Sequence, residues 1–275
     1  MALASLSTIL DIVSRRKGCV GCFAAHNFEF IQAIIHAASN TRFPAVISLP
    51  ADNNIDLTDI DILAKIALDL SKSTHIPIGL HLNHCRDLQL LNKVVNYGFT
   101  SIMFDGSFLP YEENLDSTRK AVKLAKSIGA SVEGEVRLTS PHQVADDIHI
   151  STTKAAQFAQ ETGIDCLAAS IGDNHGMRDN QGKLDLNTIR ELASQVNIPI
   201  ALHKGSWISD EEMQKAIDLG IKKVNLNKEL QFIFNNGLKS ALNSESFVTT
   251  KDVLNSASHI LSMRIQYKIQ TLKNI

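Results

Sequence analysis

The sequence contains no apolar run approaching the ~18 residues a membrane span needs. Its 275 residues also show no Pro/Gly/Ser-rich linker or composition break of the kind that separates domains. Neither sign of charge dominates: 27 lysines and arginines against 29 acidic residues leave a formal net charge of −2. No nucleic-acid-binding or membrane-binding surface is expected from that balance. Cysteines are few: Cys19, Cys22, Cys85 and Cys166. Cys19 and Cys22 form a C-x-x-C, but inside an apolar run and with no second such pair to complete a zinc ribbon. They read as buried thiols. The opening stretch MALASLSTILDIVSRRKG has Asp11 inside its apolar part and its basic cluster after it. That order is the reverse of a secretory signal and predicts an amphipathic helix. Together these absences predict a cytoplasmic protein.

With 44% hydrophobic and 20% charged residues, the chain can bury a sizeable core. Apolar runs at 19–25, 45–50, 76–83, 101–106, 130–136, 166–172, 198–205 and 221–227 read as buried parallel strands. Segments with helical spacing lie between them, at 26–40, 59–72, 86–98, 112–129, 151–163, 184–196 and 209–220, several closed by glycine. Eight strands alternating with helices predict an α/β fold of the (β/α)8 TIM barrel type, for which ~250 residues is typical. The expected organisation is a single barrel domain over 1–275, with an N-terminal helix and a C-terminal helical extension. An open doubly wound sheet is less well supported, because no G-x-G-x-x-G follows the first strand. The stretch 137–150 is polar, lacks periodicity and contains a proline; a long loop of this kind inside a compact domain is usually functional or mobile.

Three histidines stand at the polar ends of three apolar runs: His84 in IPIGLHLNHC, His175 in CLAASIGDNHG and His203 in IPIALHKGSW. In a closed barrel these strand ends share one mouth, and three imidazoles with an open fourth position describe a catalytic zinc site. The alternative is three unrelated loop histidines. Asn83 and His84 point to opposite faces of an ideal strand, so both reach the mouth only if the strand has ended there. His81, on the side of Asn83, reads as a core residue. Glu133 and Glu135 alternate on one face of SVEGEV and are costly to bury without partners; either could orient a ligand histidine. Lys204, Gly205 and Ser206 follow the seventh strand, where barrels often bind phosphate, close to the start of a helix. Asn225, Asn227 and Lys228 end the eighth. The two lysines could equally be solvated.

The segments HLNHC, NYGFTSIMFDGSFLPYEENL, SVEGEV, ASIGDNHG, IALHKGS and KKVNLNKEL, in this order, resemble the class II zinc-dependent ketose-bisphosphate aldolases. The match runs from about Cys19 to about Phe234, and its GFTS-I-M-FDGS-LP-EEN block is highly specific. The resemblance implies a (β/α)8 barrel, a homodimer or homotetramer, one Zn2+ per chain and a monovalent cation near the phosphate loop. It also implies reversible cleavage of a ketose phosphate without a lysine Schiff base, with a small sugar phosphate or related anion as partner.

Carried over by position, it makes His84, His175 and His203 the zinc ligands and Glu135 a carboxylate near the metal. Asn225 becomes an enediolate contact. Lys204, Gly205, Ser206, Gly176, Asn227 and Lys228 fall in the substrate and phosphate region, and 137–150 matches an active-site loop.

This chain departs from the family at several points. The family's HLDHG has a proton-transferring aspartate where this chain has Asn83, and Cys85 replaces the glycine that follows. Gly-Gly-Ser-Gly becomes Lys204-Gly205-Ser206-Trp207. Ala24, Pro50 and Lys228 stand where asparagine, serine and threonine are expected. Asp173 is a candidate substitute carboxylate. Two functions are compatible with this pattern: a zinc-dependent aldolase with altered substrate, or a zinc-binding barrel that no longer cleaves and serves as an anion-binding or regulatory subunit.

Overall fold

The structure, a computed structural model, describes residues 3–51, 57–139, 146–171, 183–244 and 249–273. Nine strands lie among them: β1 (Val20–Ala24), β2 (Ala45–Pro50), β3 (Ile78–Cys85), β4 (Ser101–Phe104), β5 (Ser131–Leu138), β6 (His149–Ile150), β7 (Cys166–Ile171), β8 (Ile200–Leu202) and β9 (Ile221–Leu226). All pair in parallel. The ladder runs β4-β3-β2-β1-β9-β8-β7-β5 and closes on itself through β4–β5. The result is the closed eight-stranded barrel expected from the alternation of strands and helices. The two-residue β6 is appended outside the ring, against Arg137 and Leu138 of β5. The polar stretch at 137–150 is therefore bounded by sheet at both ends.

The helices are α1 (Leu6–Arg15), α2 (Phe28–Thr41), α3 (Leu57–Ser71), α4 (Leu88–Val94), α5 (Tyr111–Lys126), α6 (Thr152–Thr162), α7 (Leu186–Gln195), α8 (Asp210–Leu219), α9 (Lys228–Leu242) and α10 (Thr250–Leu272). Local chemistry starts and stops them. Ser5, Asn27, Asp87, Ser151, Asp185, Ser209 and Thr249 cap N-termini with side-chain oxygens, each satisfying a backbone N–H that has no helical partner. Gly163 ends α6 in the left-handed conformation.

The opening amphipathic helix has a specific place. α1 buries Leu6, Ile9, Leu10 and Val13 and touches β1, β3, β5 and β9. Ser7 bonds Ser131, the first residue of β5, through its backbone N–H at 3.0 Å. α1 thus lies across the N-terminal end of the barrel and leaves the C-terminal end as the mouth. The last helix, α10, packs on α2 and α9, and the carbonyl of Leu272 accepts from the Cys19 N–H at 2.9 Å beside the start of β1.

All four cysteines are free and buried, as their apolar surroundings suggested. The third strand does not stop at Asn83. It runs to Cys85, but its pairing with β4 shifts register between Leu82 and Cys85, and His84 takes a left-handed φ of 55°. This bulge re-aims the side chains, so Asn83 and His84 both line the same cavity.

Candidate active site

The mouth holds a cavity of about 430 Å³ lined by Asn83, His84, His203, Lys204, Ser206, Trp207, Asn225, Asn227 and Lys228. Eight of these positions were selected from sequence as site residues, and the ninth, Trp207, was noted only as a departure from the family pattern. β3 delivers Asn83 and His84, the turn after β8 delivers residues 203–207, and β9 with the start of α9 delivers the rest. Gly205 also sits here: its N–H donates to the Asn225 carbonyl at 2.9 Å. A Cβ on it would lie 2.2 Å from Val224 Cγ1, so only glycine lets this turn approach β9 so closely. Ser206 Oγ accepts from the backbone N–H groups of Asn227 and Glu229, each at 3.3 Å, tying the turn to the first turn of α9.

Three groups that could hold a metal ion lie at the cavity's buried side. His84, Glu135 and His203 each offer a ligand atom, and these atoms lie within 4.8 Å of one another. The two rings meet edge to face, centroids 5.1 Å apart. His175 and Gly176, together with Asp173, lie outside the described residues.

A carboxylate stands behind each histidine. His203 Nε2 lies 2.8 Å from Glu133 Oε1. A carboxylate only accepts, so Nε2 carries the proton and Nδ1 holds the lone pair of the neutral ring. His84 Nδ1 lies 3.1 Å from Asp105 Oδ2, which by the same reasoning leaves Nε2 as its basic nitrogen. Such outer carboxylates fix the tautomer of ligand histidines. Glu135 is fully buried, its Oε2 at 3.8 Å from His84 Nδ1 and 4.0 Å from His203 Nδ1. Its backbone carbonyl accepts from Asn114 Nδ2 at 2.9 Å.

The carboxylates are themselves compensated. Asp105 receives Arg86 Nε at 2.9 Å and the Ser107 hydroxyl at 2.7 Å. Glu133 pairs with Lys223 at 2.9 Å, both fully buried. Burial opposes the charged forms of both acids, but the partners win. Hydrogen bonds and charge from His84, Ser107 and Arg86 hold Asp105 well below the usual carboxylate range. Lys223 and His203 do the same for Glu133. Burial likewise opposes protonation of His84, yet the Asp105 hydrogen bond and the Glu135 charge outweigh it and raise its pKa. At His203 burial prevails over Glu133 and the pKa falls. His81 is wholly buried, its Nδ1 2.8 Å from Ser101 Oγ. It sits in the core, as its side of the strand suggested, and burial lowers its pKa well below the usual value.

Several residues escaped the sequence reading. Asp105 is the middle residue of FDG, where a short polar residue after a strand reads as a turn. Arg86 and His26 lie on loops; His26 Nε2 is 3.0 Å from Asn227 Oδ1. Lys223 left a usable signal: it shares the alternating face of Ile221 and Asn225 in IKKVN, which is the inner face of the strand.

A closed parallel barrel with histidine–carboxylate pairs and an anion-friendly turn at its C-terminal mouth defines a barrel enzyme, by fold and by site. The comparisons with known proteins then specify which kind. The family model described as fructose-bisphosphate aldolase class-II matches residues 4–275, and the chain belongs to that family; it is an aldolase, a carbon–carbon lyase. It is 35% identical over 252 residues to a sulfofructosephosphate aldolase of Alkalicoccus urumqiensis, covering 88% of this chain and 86% of that protein. It is 30% identical over 250 residues to a fructose-bisphosphate aldolase of Geobacillus stearothermophilus, with coverage of 88% and 86%. The crystal structure of the YdjI aldolase from Escherichia coli K12 superposes with a TM-score of 0.84 at 23% identity, covering 98% of this chain and 97% of that one.

Proposed function

We propose that the chain is a zinc-dependent aldolase that cleaves and forms a ketose phosphate, or a closely related phosphorylated or sulfonated anion. The observation that carries this reading is the donor set of His84, Glu135 and His203, within 4.8 Å of one another beside the cavity that holds Lys204, Ser206 and Lys228. Two imidazoles and a carboxylate, the imidazoles backed by Asp105 and Glu133, fit a divalent ion such as zinc. His84 and His203 would hold it, with His175 as the third histidine and Glu135 in reach. When bound, zinc supplies a Lewis acid for the ketone oxygen on which charge develops during cleavage.

The chain's own residues do the rest. Lys204, the Gly205 and Ser206 backbone and Lys228 hold the phosphate, with a monovalent cation near that turn. Asn225 orients an oxygen of the ketone half. Trp207, 57% exposed and edge to face with Phe232 at 5.5 Å, forms the outer wall. Lys204 and Trp207 replace glycines of the family's phosphate turn, and together with Asn83 they support a substrate other than the ordinary bisphosphate. The name of the sulfofructosephosphate relative is in keeping with that shift.

Elemental analysis with retro-aldol assays tests the proposal. The wild-type chain should carry one zinc and cleave a phosphorylated ketose, faster for a sulfonated than for a bisphosphate substrate. His84→Ala and His203→Ala should lose the metal and the activity together. Full metal content in both variants would refute the ligand assignment. A zinc-loaded chain inert toward every ketose phosphate would favour a non-cleaving anion-binding barrel.

A further inference from the structure

Each histidine of the site leans on a carboxylate, and each carboxylate in turn meets a cation. The two relays are built differently. At Glu133 the partners take separate oxygens: His203 Nε2 meets Oε1 at 2.8 Å and Lys223 Nζ meets Oε2 at 2.9 Å. At Asp105 they crowd a single oxygen. Oδ2 lies 3.1 Å from His84 Nδ1, 2.9 Å from Arg86 Nε and 2.8 Å from Arg86 Nη2. One oxygen has a limited charge to share, and the arginine makes the two shorter contacts. The His84 contact is the longest of the three, and longer than its counterpart at His203. The cations differ as well. Lys223 is fully buried, whereas the Arg86 side chain is 56% exposed and lies over the Phe108 ring, 5.3 Å from its centroid. Arg86 therefore reaches Asp105 from the rim of the mouth, held between an aromatic face and a carboxylate. Asp105 does not depend on it for its place. Its other oxygen, Oδ1, accepts from the Ser107 backbone N–H at 3.2 Å and the Ser107 hydroxyl at 2.7 Å.

We propose that Arg86 is a positioning residue of the metal site. By drawing charge from the oxygen that it shares with His84, it keeps His84 a weaker electron donor, so that zinc is held less tightly and stays a stronger Lewis acid. A carboxylate behind an imidazole raises the basicity of the ligand nitrogen. A guanidinium on the same oxygen opposes that effect, and its own positive charge repels the ion. A poorer donor leaves more positive charge on the ion, and that charge is what polarises a ketone oxygen. The inference rests on the reading of His84 and His203 as metal ligands, and it concerns how that site is tuned.

The test is competition for zinc between the full chain and a chelating dye at neutral pH. Arg86→Met keeps an apolar contact with Phe108 and removes both the charge and the N–H groups. It should bind zinc about tenfold more tightly than wild type, the scale on which outer partners change metal affinity, and release it more slowly. An arginine that merely braced Asp105 would give the opposite sign. Equal or weaker binding by Arg86→Met therefore overturns the proposal. The route through the carboxylate is checked by a double-mutant cycle. In an Asp105→Asn background, Arg86→Met should change zinc affinity less than about threefold. A full tenfold gain in that background would show that Arg86 acts on the ion as a bare charge, and would overturn the carboxylate route. If Asp105→Asn does not fold, the comparison of Arg86→Met with wild type still decides. With zinc saturating, Arg86→Met should cleave a phosphorylated ketose several-fold more slowly although it holds the metal more tightly, a combination that damage to the fold does not produce. An unchanged kcat would remove the Lewis-acid half of the proposal. Failure of wild type to bind zinc would instead sink the metal reading beneath it.

Discussion

Lys204 and Trp207 both hold left-handed backbone, with φ of 53° and 64°, in a four-residue turn whose middle is Gly205-Ser206. A side chain in that conformation costs about 1 kcal/mol relative to glycine. The strain is offset by what the side chains reach, a cation and an indole at the cavity wall. Lys204→Gly should therefore raise the urea midpoint by about 0.5–1 kcal/mol of stability. It should also weaken a phosphorylated ligand by about 1–3 kcal/mol, the worth of a charge-assisted hydrogen bond. Calorimetry and denaturation on the same preparation check both signs. At Asn83 the expectation concerns rate. A positioned acid–base group contributes ~10²–10⁴-fold, so cleavage of fructose 1,6-bisphosphate by wild type should be very slow, and Asn83→Asp should raise it at least ~10-fold. Rapid wild-type turnover of that substrate would show that another group moves the proton.

At the scale of elements, the strands were legible because a buried parallel strand is written as an apolar run, and the helices because their buried faces recur at helical spacing. The departures have local causes. β8 spans only Ile200–Leu202, shorter than the 198–205 expected from sequence, because the chain turns at Lys204. The helix after β3 breaks into a 3-10 turn at Val95–Tyr97 before the left-handed Gly98. The bulge that aims His84 was not legible at all, since alternation within one strand carries no record of how its neighbour pairs with it. The partners of the histidines were half legible: Glu133 through its alternation with Glu135, Asp105 through nothing in its surroundings. A second buried charge cluster fastens α9 to α10. Glu229 is fully buried and accepts from Arg264 Nε at 2.6 Å, with Lys268 Nζ at 3.7 Å. The backbone N–H of Glu229 also reaches Ser206, so this cluster anchors the turn after β8 from behind. Removing one partner of a buried ionic cluster strands the others, so Glu229→Ala should cost about 3 kcal/mol in urea denaturation. A loss below 1 kcal/mol would show that the cluster contributes little.

At the scale of the molecule, the charges inside the barrel govern how it responds to acid. Asp105 and Glu133 have depressed pKa values in the folded chain. Their contribution is complete above the ordinary carboxylate value of ~4 and is lost as pH falls through it toward the folded value. His81 and His203 are also depressed, so they begin to favour the unfolded chain below their ordinary value of ~6.5, partly countered by His84, which is raised. The metal-free chain should thus lose stability gradually below about pH 6.5 and steeply below about pH 4; Glu133→Gln should flatten the steep limb when urea midpoints are plotted against pH. The arrangement that makes this barrel a blind well, with α1 across one end and a single mouth at the other, has a kinetic consequence as well. Cys19, Cys22 and Cys166 lie wholly inside it with their thiol pKa values pushed up by burial, and burial pushes Cys85 up to about 11. None offers a thiolate to the solvent while the ring is closed. Disulfide-exchange reagents should therefore modify all four sulfurs at one common rate, set by opening of the barrel and slowed by bound ligand. A fast, reagent-limited phase for any one of them would reveal a breach in the wall at that strand, and sequencing the labelled peptide would say which.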